Sequence, residues 1–124
     1  MIKLSVHHIS FPVSDLDRSK VFYQGILGLK EIPRPDIFGI PGMWLVAGQC
    51  EVHLIEVDEK MDVGSQPKMI NPAARHAAFA VDDYEETVSY LKTPGLEVFE
   101  TNAAIGQMWI ADPDGHVIEL IQSA

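Results

Sequence analysis

The sequence predicts an α+β protein in which one β-α-β-β-β module is written twice. Three observations carry that prediction: a duplicated strand motif, a helix signature after each copy, and short apolar runs punctuated by Pro and Gly after each helix. "VHHISFPVSD" at 6–15 and "RHAAFAVDD" at 75–83 share the pattern His-x-x-Phe-x-Val-x-Asp. His8 therefore falls on His76, Phe11 on Phe79, Val13 on Val81 and Asp15 on Asp83, each pair 68 positions apart. Further on, "LGLKEI" (27–32) lies over "PGLEVF" (94–99) and "MWLVAG" (43–48) over "MWIAD" (108–112). "EVHLIE" (51–56) lies over "VIELIQ" (117–122), which sets His53 against Glu119.

Each element has a local reason. Residues 3–13 alternate and are rich in Val, Ile and Phe, which predicts a strand with His7, Ile9, Phe11 and Val13 on one face and His8, Ser10 and Pro12 on the other. The bulky face is the one to take a helix. That helix is capped by Ser14 or Asp15, carries Leu16, Phe22, Tyr23, Ile26 and Leu27 as its apolar stripe, and stops at Gly28. "LKEIPR", "MWLVAG" and "CEVHLIEV" supply the three strands that complete the first module. The second module has its strand at 76–81 and a helix from an Asp82 or Asp83 cap through Tyr84, Val88 and Leu91 to "TPG". Its final strands flank "DPDG" (112–115), where Asp, Pro and Gly stand where a tight turn favours them.

At 124 residues the chain suits a single domain, with module one at about 1–57, a connection at 58–75 and module two at about 76–124. The connection, long for so small a domain, is expected to be a lid or a dimer arm. A formal charge of −9 excludes the basic face that nucleic acids or an anionic membrane require. The opening "MIKLSVHHISFPV" is unlike a signal peptide and no apolar run approaches a membrane span, so a soluble, cytoplasmic protein is expected. Cys50, the one cysteine, excludes an internal disulfide and a thiolate cluster and reads as a small buried apolar residue.

The chemistry follows from which residues recur. In each first strand the histidine shares its face with small residues, Ser10 and Pro12 or Ala78 and Ala80, so His8 and His76 are left to face a hollow. His53 and Glu119 sit near the middle of their modules' last strands. A carboxylate between Ile118 and Leu120 needs a partner or a metal. If the modules face one another across a pseudo-twofold, three imidazoles and one carboxylate converge, a set that suits one Zn, Ni, Mn or Fe ion with open positions. A lone strand histidine is more often a core residue, but five histidines in 124 residues rarely coincide under a repeat by accident. His7 is read as structural on the helix side and His116 as exposed, neither as a ligand. Met43, Trp44, Met108 and Trp109 fill the core or line a cavity. Arg34 and Arg75 are candidate anchors for an anionic substrate, or solvated surface residues.

"HHISFPVSDLDRSKVFYQGILGLKE", "HAAFAV" and "DPDGHVIELIQ" together resemble the vicinal-oxygen-chelate superfamily, along the whole chain. That group includes glyoxalase I, fosfomycin-resistance thiol transferases, methylmalonyl-CoA epimerase, extradiol dioxygenases and bleomycin-binding proteins. The resemblance implies paired βαβββ modules forming a cup-shaped open mixed sheet, with one divalent metal per site held by His8, His53, His76 and Glu119. It also implies a homodimer whose sites draw His8 and His53 from one chain and His76 and Glu119 from the other. One departure is that bacterial proteins resembling glyoxalase I usually carry Glu where this chain has His53.

The function expected is a metal-dependent lyase or isomerase of the glyoxalase type, chelating vicinal oxygens of a small substrate, with Glu119 as ligand and general base. The alternatives are an Fe(II) ring-cleaving dioxygenase, a thiol transferase of the antibiotic-resistance type, and a metal-free antibiotic-binding protein.

Overall fold

The computed structural model describes residues 1–37 and 39–123. The chain forms two compact units, Met1–Gly64 and Ser65–Ala124, which divide within the 58–75 connection. The first unit contains β1 (His8–Val13), α1 (Leu16–Lys20), a π-helical segment (Val21–Ile26), β2 (Lys30–Ile32), β3 (Gly42–Ala47) and β4 (Cys50–Glu56). The second contains β5 (His76–Val81), α2 (Tyr84–Lys92), β6 (Phe99–Glu100), β7 (Gln107–Ala111) and β8 (Val117–Gln122). Each unit is built on one four-stranded mixed sheet, ordered β1-β4-β3-β2 and β5-β8-β7-β6. The first strand of each unit runs parallel to its last, and the other neighbours are antiparallel. The α+β class and the written-twice module are thus observed.

The repeat is kept to the level of single residue pairs. Ser10 stands opposite His53 as Ala78 stands opposite Glu119. Trp44 stands opposite His53 as Trp109 stands opposite Glu119. Strand alternation then sorts each sheet into two faces. In the first unit Phe11, Val13, Met43, Leu45, Val52 and Leu54 are buried on one face, where the ring of Phe11 stacks on Tyr23 of the helical segment. Glu51, His53 and Ile55 point the other way.

Both helices are fixed at their N-termini by the same device. Asp15 Oδ1 accepts from the Arg18 N–H and Asp83 Oδ1 from the Glu86 N–H. One residue on, Leu16 donates to Glu56 Oε2 at 2.8 Å and Tyr84 to Gln122 Oε1 at 2.7 Å, which ties each helix to the last strand of its own unit. Tyr84, Val88 and Leu91 are the buried side of α2, as their spacing predicts.

The "DPDG" turn closes by three bonds: Gly115 N–H to the Asp112 carbonyl, and the N–H groups of Asp114 and His116 to Asp112 Oδ1. Gly115, at φ 89°, occupies the left-handed region that glycine tolerates.

Several sequence expectations are corrected. The first strand begins at His8 and not at residue 3, because the Glu51 N–H bonds to the His7 carbonyl at the start of β4 and the partner strand then runs out. Ile2, Leu4 and Val6 are exposed, and so is His7, which does not pack toward the helix. The helix after Lys20 widens, the Leu27 N–H reaching back five residues to the Phe22 carbonyl, and the neighbouring aromatics Phe22 and Tyr23 are both buried. His116 is buried, not exposed, and its backbone is held by Asp112, which accepts the His116 N–H at Oδ1 and donates its own N–H to the His116 carbonyl. Cys50 is half-buried, at the first position of β4. Residues 58–75 carry no helix or strand. Among the described residues no helix is long and apolar enough to cross a membrane.

Candidate functional site

The four residues singled out by duplication form two pairs, one in each unit. In the first, His53 lies on the central strand β4 with its imidazole between two rings. His8 on β1 stacks against it at 3.9 Å and 15°, and Trp44 on β3 at 4.2 Å and 4°. The sheet order β1-β4-β3 places these neighbours on either side of it. His53 is 7% exposed, and its Nε2 lies 2.9 Å from Glu51 Oε1. Nδ1 of His8 lies 2.9 Å from Nδ1 of His7, so one of the two rings donates and the other accepts.

These contacts act on protonation. Desolvation, followed by the neighbouring His53 and His7, lowers the His8 pKa below its ordinary 6.5, and Glu51 opposes them. The hydrogen bond to His53 is the main cause that lowers the Glu51 carboxyl. A neutral imidazole with a free ring nitrogen is the form a metal binds.

In the second unit, His76 at the start of β5 places Nε2 2.9 Å from Oε1 of Glu119 on β8, while its Nδ1 lies 2.7 Å from the Ala74 carbonyl oxygen. Glu119 is 7% exposed, and its Oε2 accepts from the Gln107 amide at 3.0 Å. A carbonyl oxygen only accepts, so Nδ1 of His76 must carry the proton. The lone pair of Nε2 in a neutral ring would then face the lone pairs of a carboxylate. A proton has to lie between them, on the ring or on the carboxyl, or a metal ion has to take its place.

The donor set fits a divalent metal. Two ligand atoms bound at roughly 2.0–2.2 Å to one ion stand about 3 Å apart at octahedral angles and about 3.4 Å at tetrahedral ones, close to the 2.9 Å between Nε2 and Oε1. The Ala74 carbonyl holds the imidazole in the orientation that a ligating histidine requires. Among the described residues no group of three or more His, Cys, Asp or Glu side chains gathers as a metal cluster, and each unit is described by its own pair.

Glu51 and Gln107 were not foreseen from the sequence. Strand parity was the available signal for Glu51, which shares a face with His53, and register for Gln107, which stands two residues before Trp109. Met43, Met108 and Trp109 are buried in their units, Trp44 is half-buried against His53, Arg34 is half-buried and Arg75 exposed.

The model of the Glyoxalase/Bleomycin resistance protein/Dioxygenase superfamily matches residues 5–120. Glyoxylase I 4 of Arabidopsis thaliana is 29% identical over 121 residues, 94% of this chain and 69% of that protein. Glutathione transferase FosA of Serratia marcescens is 30% identical over 119 residues, 94% and 79% of the two. The solved structure of TnmS3, an antibiotic binding protein from Streptomyces sp. CB03234, matches with a TM-score of 0.73 at 26% identity, covering 100% of this chain and 99% of that one.

Proposed function

The chain belongs to the Glyoxalase/Bleomycin resistance protein/Dioxygenase superfamily, and from that premise we propose that it is a metal-dependent lyase or isomerase of the glyoxalase type, acting on a small substrate with two adjacent oxygens. The proposed ligands are His8 and His53 of the first unit and His76 and Glu119 of the second. In the proposed homodimer each site draws one pair from each chain.

A bound divalent ion supplies Lewis acidity, stabilising negative charge that develops on the substrate oxygens. Three neutral imidazoles and one carboxylate leave one of the ion's two positive charges uncompensated, which favours that role. Glu119 is the proposed base. The Gln107 amide occupies Oε2 and His76 Nε2 faces Oε1, so Oε1 would have to come free of that contact before it takes a proton from the carbon beside the substrate carbonyl and returns it to the neighbouring carbon. His76 is kept from turning away by its bond to the Ala74 carbonyl.

The observation that carries this reading is the His76–Glu119 contact, in which a ring nitrogen oriented by the Ala74 carbonyl faces a buried carboxylate across 2.9 Å, where a divalent ion would take the place of the shared proton. The test is elemental analysis of protein purified without a nickel column, beside a variant carrying His76→Ala and Glu119→Ala. About one metal per chain, lost in the variant, supports the reading. Protein that takes up no Zn, Ni, Mn or Fe on dialysis would overturn it in favour of metal-free binding of an antibiotic.

A second reading is favoured by the engagement of His53, which is stacked on both faces and bonded to Glu51. His8, His76 and Glu119 alone would then hold the metal of a thiol transferase that opens an epoxide antibiotic. Loss of metal in His8→Ala but not in His53→Ala, with consumption of fosfomycin and a thiol, would select it.

A further inference from the structure

Arg34 stands in the segment Pro33–Arg34–Pro35. Pro33 fixes the backbone immediately before it, and Pro35 restricts Arg34 itself to extended conformations, so its side chain leaves from a backbone with little freedom. It runs to the start of β3. A Cβ built on Gly42 would lie 2.9 Å from both Cζ and Nε of Arg34 and 2.6 Å from the Leu54 carbonyl oxygen. The guanidinium therefore occupies the notch that glycine leaves open. Arg34 Nε is buried and, among the described residues, has no hydrogen-bond partner.

The duplicated register shows what a donor in this place can serve. Gly42 stands opposite Ile55, two residues before Trp44, which stands opposite His53. In the second unit Gln107 stands opposite Ile121, two residues before Trp109, which stands opposite Glu119. At that second position the Gln107 amide reaches across to Glu119. The first unit has no side chain at the matching position and brings in the Arg34 guanidinium instead. The other two arginines are placed differently: Arg18 donates to Ser14 on the helix surface and Arg75 is exposed.

We propose that Arg34 is a specificity-determining residue that binds the oxyanion of the substrate, a carboxylate or a phosphonate, beside His53 and Trp44 in the first unit. This rests on the reading of the chain as an enzyme of small oxygenated substrates and names their class: they are anions. A planar fork of N–H donors matches either oxyanion, whereas a chain with net charge −9 offers it little attraction from a distance. A local cation is what makes such a substrate acceptable.

The test follows the Arg34 Nε–H resonance of the full-length, metal-free protein by NMR during titration with methylphosphonate and, separately, acetate. A saturable shift of that resonance with one of them supports the proposal and identifies the oxyanion. Arg34→Gln should weaken that binding by about ten- to a hundredfold, Arg34→Lys by less, and Arg75→Gln not at all. An unchanged Arg34 resonance with both anions, or binding equally weakened by Arg75→Gln, overturns it. Metal uptake, measured on the same protein after dialysis against Zn, Ni, Mn or Fe, separates the two readings. Anion binding without metal uptake defeats the enzyme reading and leaves this one, and the reverse result does the opposite.

Discussion

Trp44 stands directly opposite His53 on the neighbouring strand, its ring 4.2 Å from the imidazole and 4° from parallel, and Trp109 holds the same register opposite Glu119. The ring of Trp44 limits where His53, a proposed metal ligand, can swing. Trp44→Ala should weaken metal binding about tenfold and Trp44→Phe should retain most of it, measured by competition against a chromogenic chelator. Equal affinity in Trp44→Ala and the wild type would show that His53 needs no such wall.

Gln107 holds the second oxygen of Glu119, which is buried on β8. Gln107→Leu removes that donor and leaves a buried carboxylate oxygen unsatisfied, at a cost of about 1–3 kcal/mol. Urea denaturation of the metal-free protein should show a lower midpoint with an unchanged slope. In the combined variant with Glu119→Leu the loss from Gln107→Leu should shrink, because the group left unpaired is gone.

Asp112 does for the turn what a cap does for a helix. Its Oδ1 accepts from the N–H groups of both Asp114 and His116, and the residue is 5% exposed. Asp112→Ala strands two donors in a turn that joins β7 to β8, and should cost about 2–4 kcal/mol. Asp112→Asn keeps an acceptor oxygen and should lose less than half of that. Thermal unfolding of the two variants against the wild type distinguishes an acceptor role from mere preference for a polar residue.

Acid should destabilise the metal-free protein in two steps. His8 has a lowered pKa in the fold, mainly by desolvation and then by His53 and His7, so the unfolded chain binds its proton first and stability begins to fall as pH drops below 6.5. Glu51 is lowered mainly by its bond from His53, so its contribution is present above 4.5 and lost as pH falls through its lower folded value. Melting temperatures taken across this range should fall less steeply just below 6.5 in His8→Gln. In Glu51→Gln they should flatten only below 4.5, and the upper slope should persist, because removing Glu51 takes away the one contribution that raises His8. Both groups are solvent-accessible, so salt should diminish both slopes.

What could be read from the sequence was whatever depends on period and repetition. A strand has a period of two, so the 68-residue coincidence of His8 with His76 fixed which residues share a face, and Asp15 and Asp83 marked the helix starts. Less legible was anything that depends on where a partner ends. Residues 3–7 alternate as a strand should, yet β4 offers nothing beyond the Glu51 N–H for them to pair with. His116 follows a turn glycine, a place that suggests exposure, but it is buried in a turn whose backbone Asp112 ties down. The roles of Glu51 and Gln107 depend on cross-strand register, which a single module does not reveal and which the repeat conceals, because the positions matching them hold Val117 and Gly42.

Two glycines of the first unit should respond oppositely to alanine. Gly25, within the π-helical segment, has only Val21 Cγ1 at 4.0 Å from a built Cβ, so Gly25→Ala should be accommodated and should stabilise by up to about 1 kcal/mol through helix propensity. At Gly42 the same methyl would meet the Leu54 carbonyl oxygen at 2.6 Å and the Arg34 guanidinium at 2.9 Å. The guanidinium can swing aside but the strand oxygen cannot, so β3 must shift against β4, and a cost of about 1–3 kcal/mol follows. The same shift would move Trp44, two residues along, off His53. Chemical denaturation should therefore place the two variants on opposite sides of the wild type, and near-ultraviolet circular dichroism of Gly42→Ala should lose part of its tryptophan signal while that of Gly25→Ala stays unchanged.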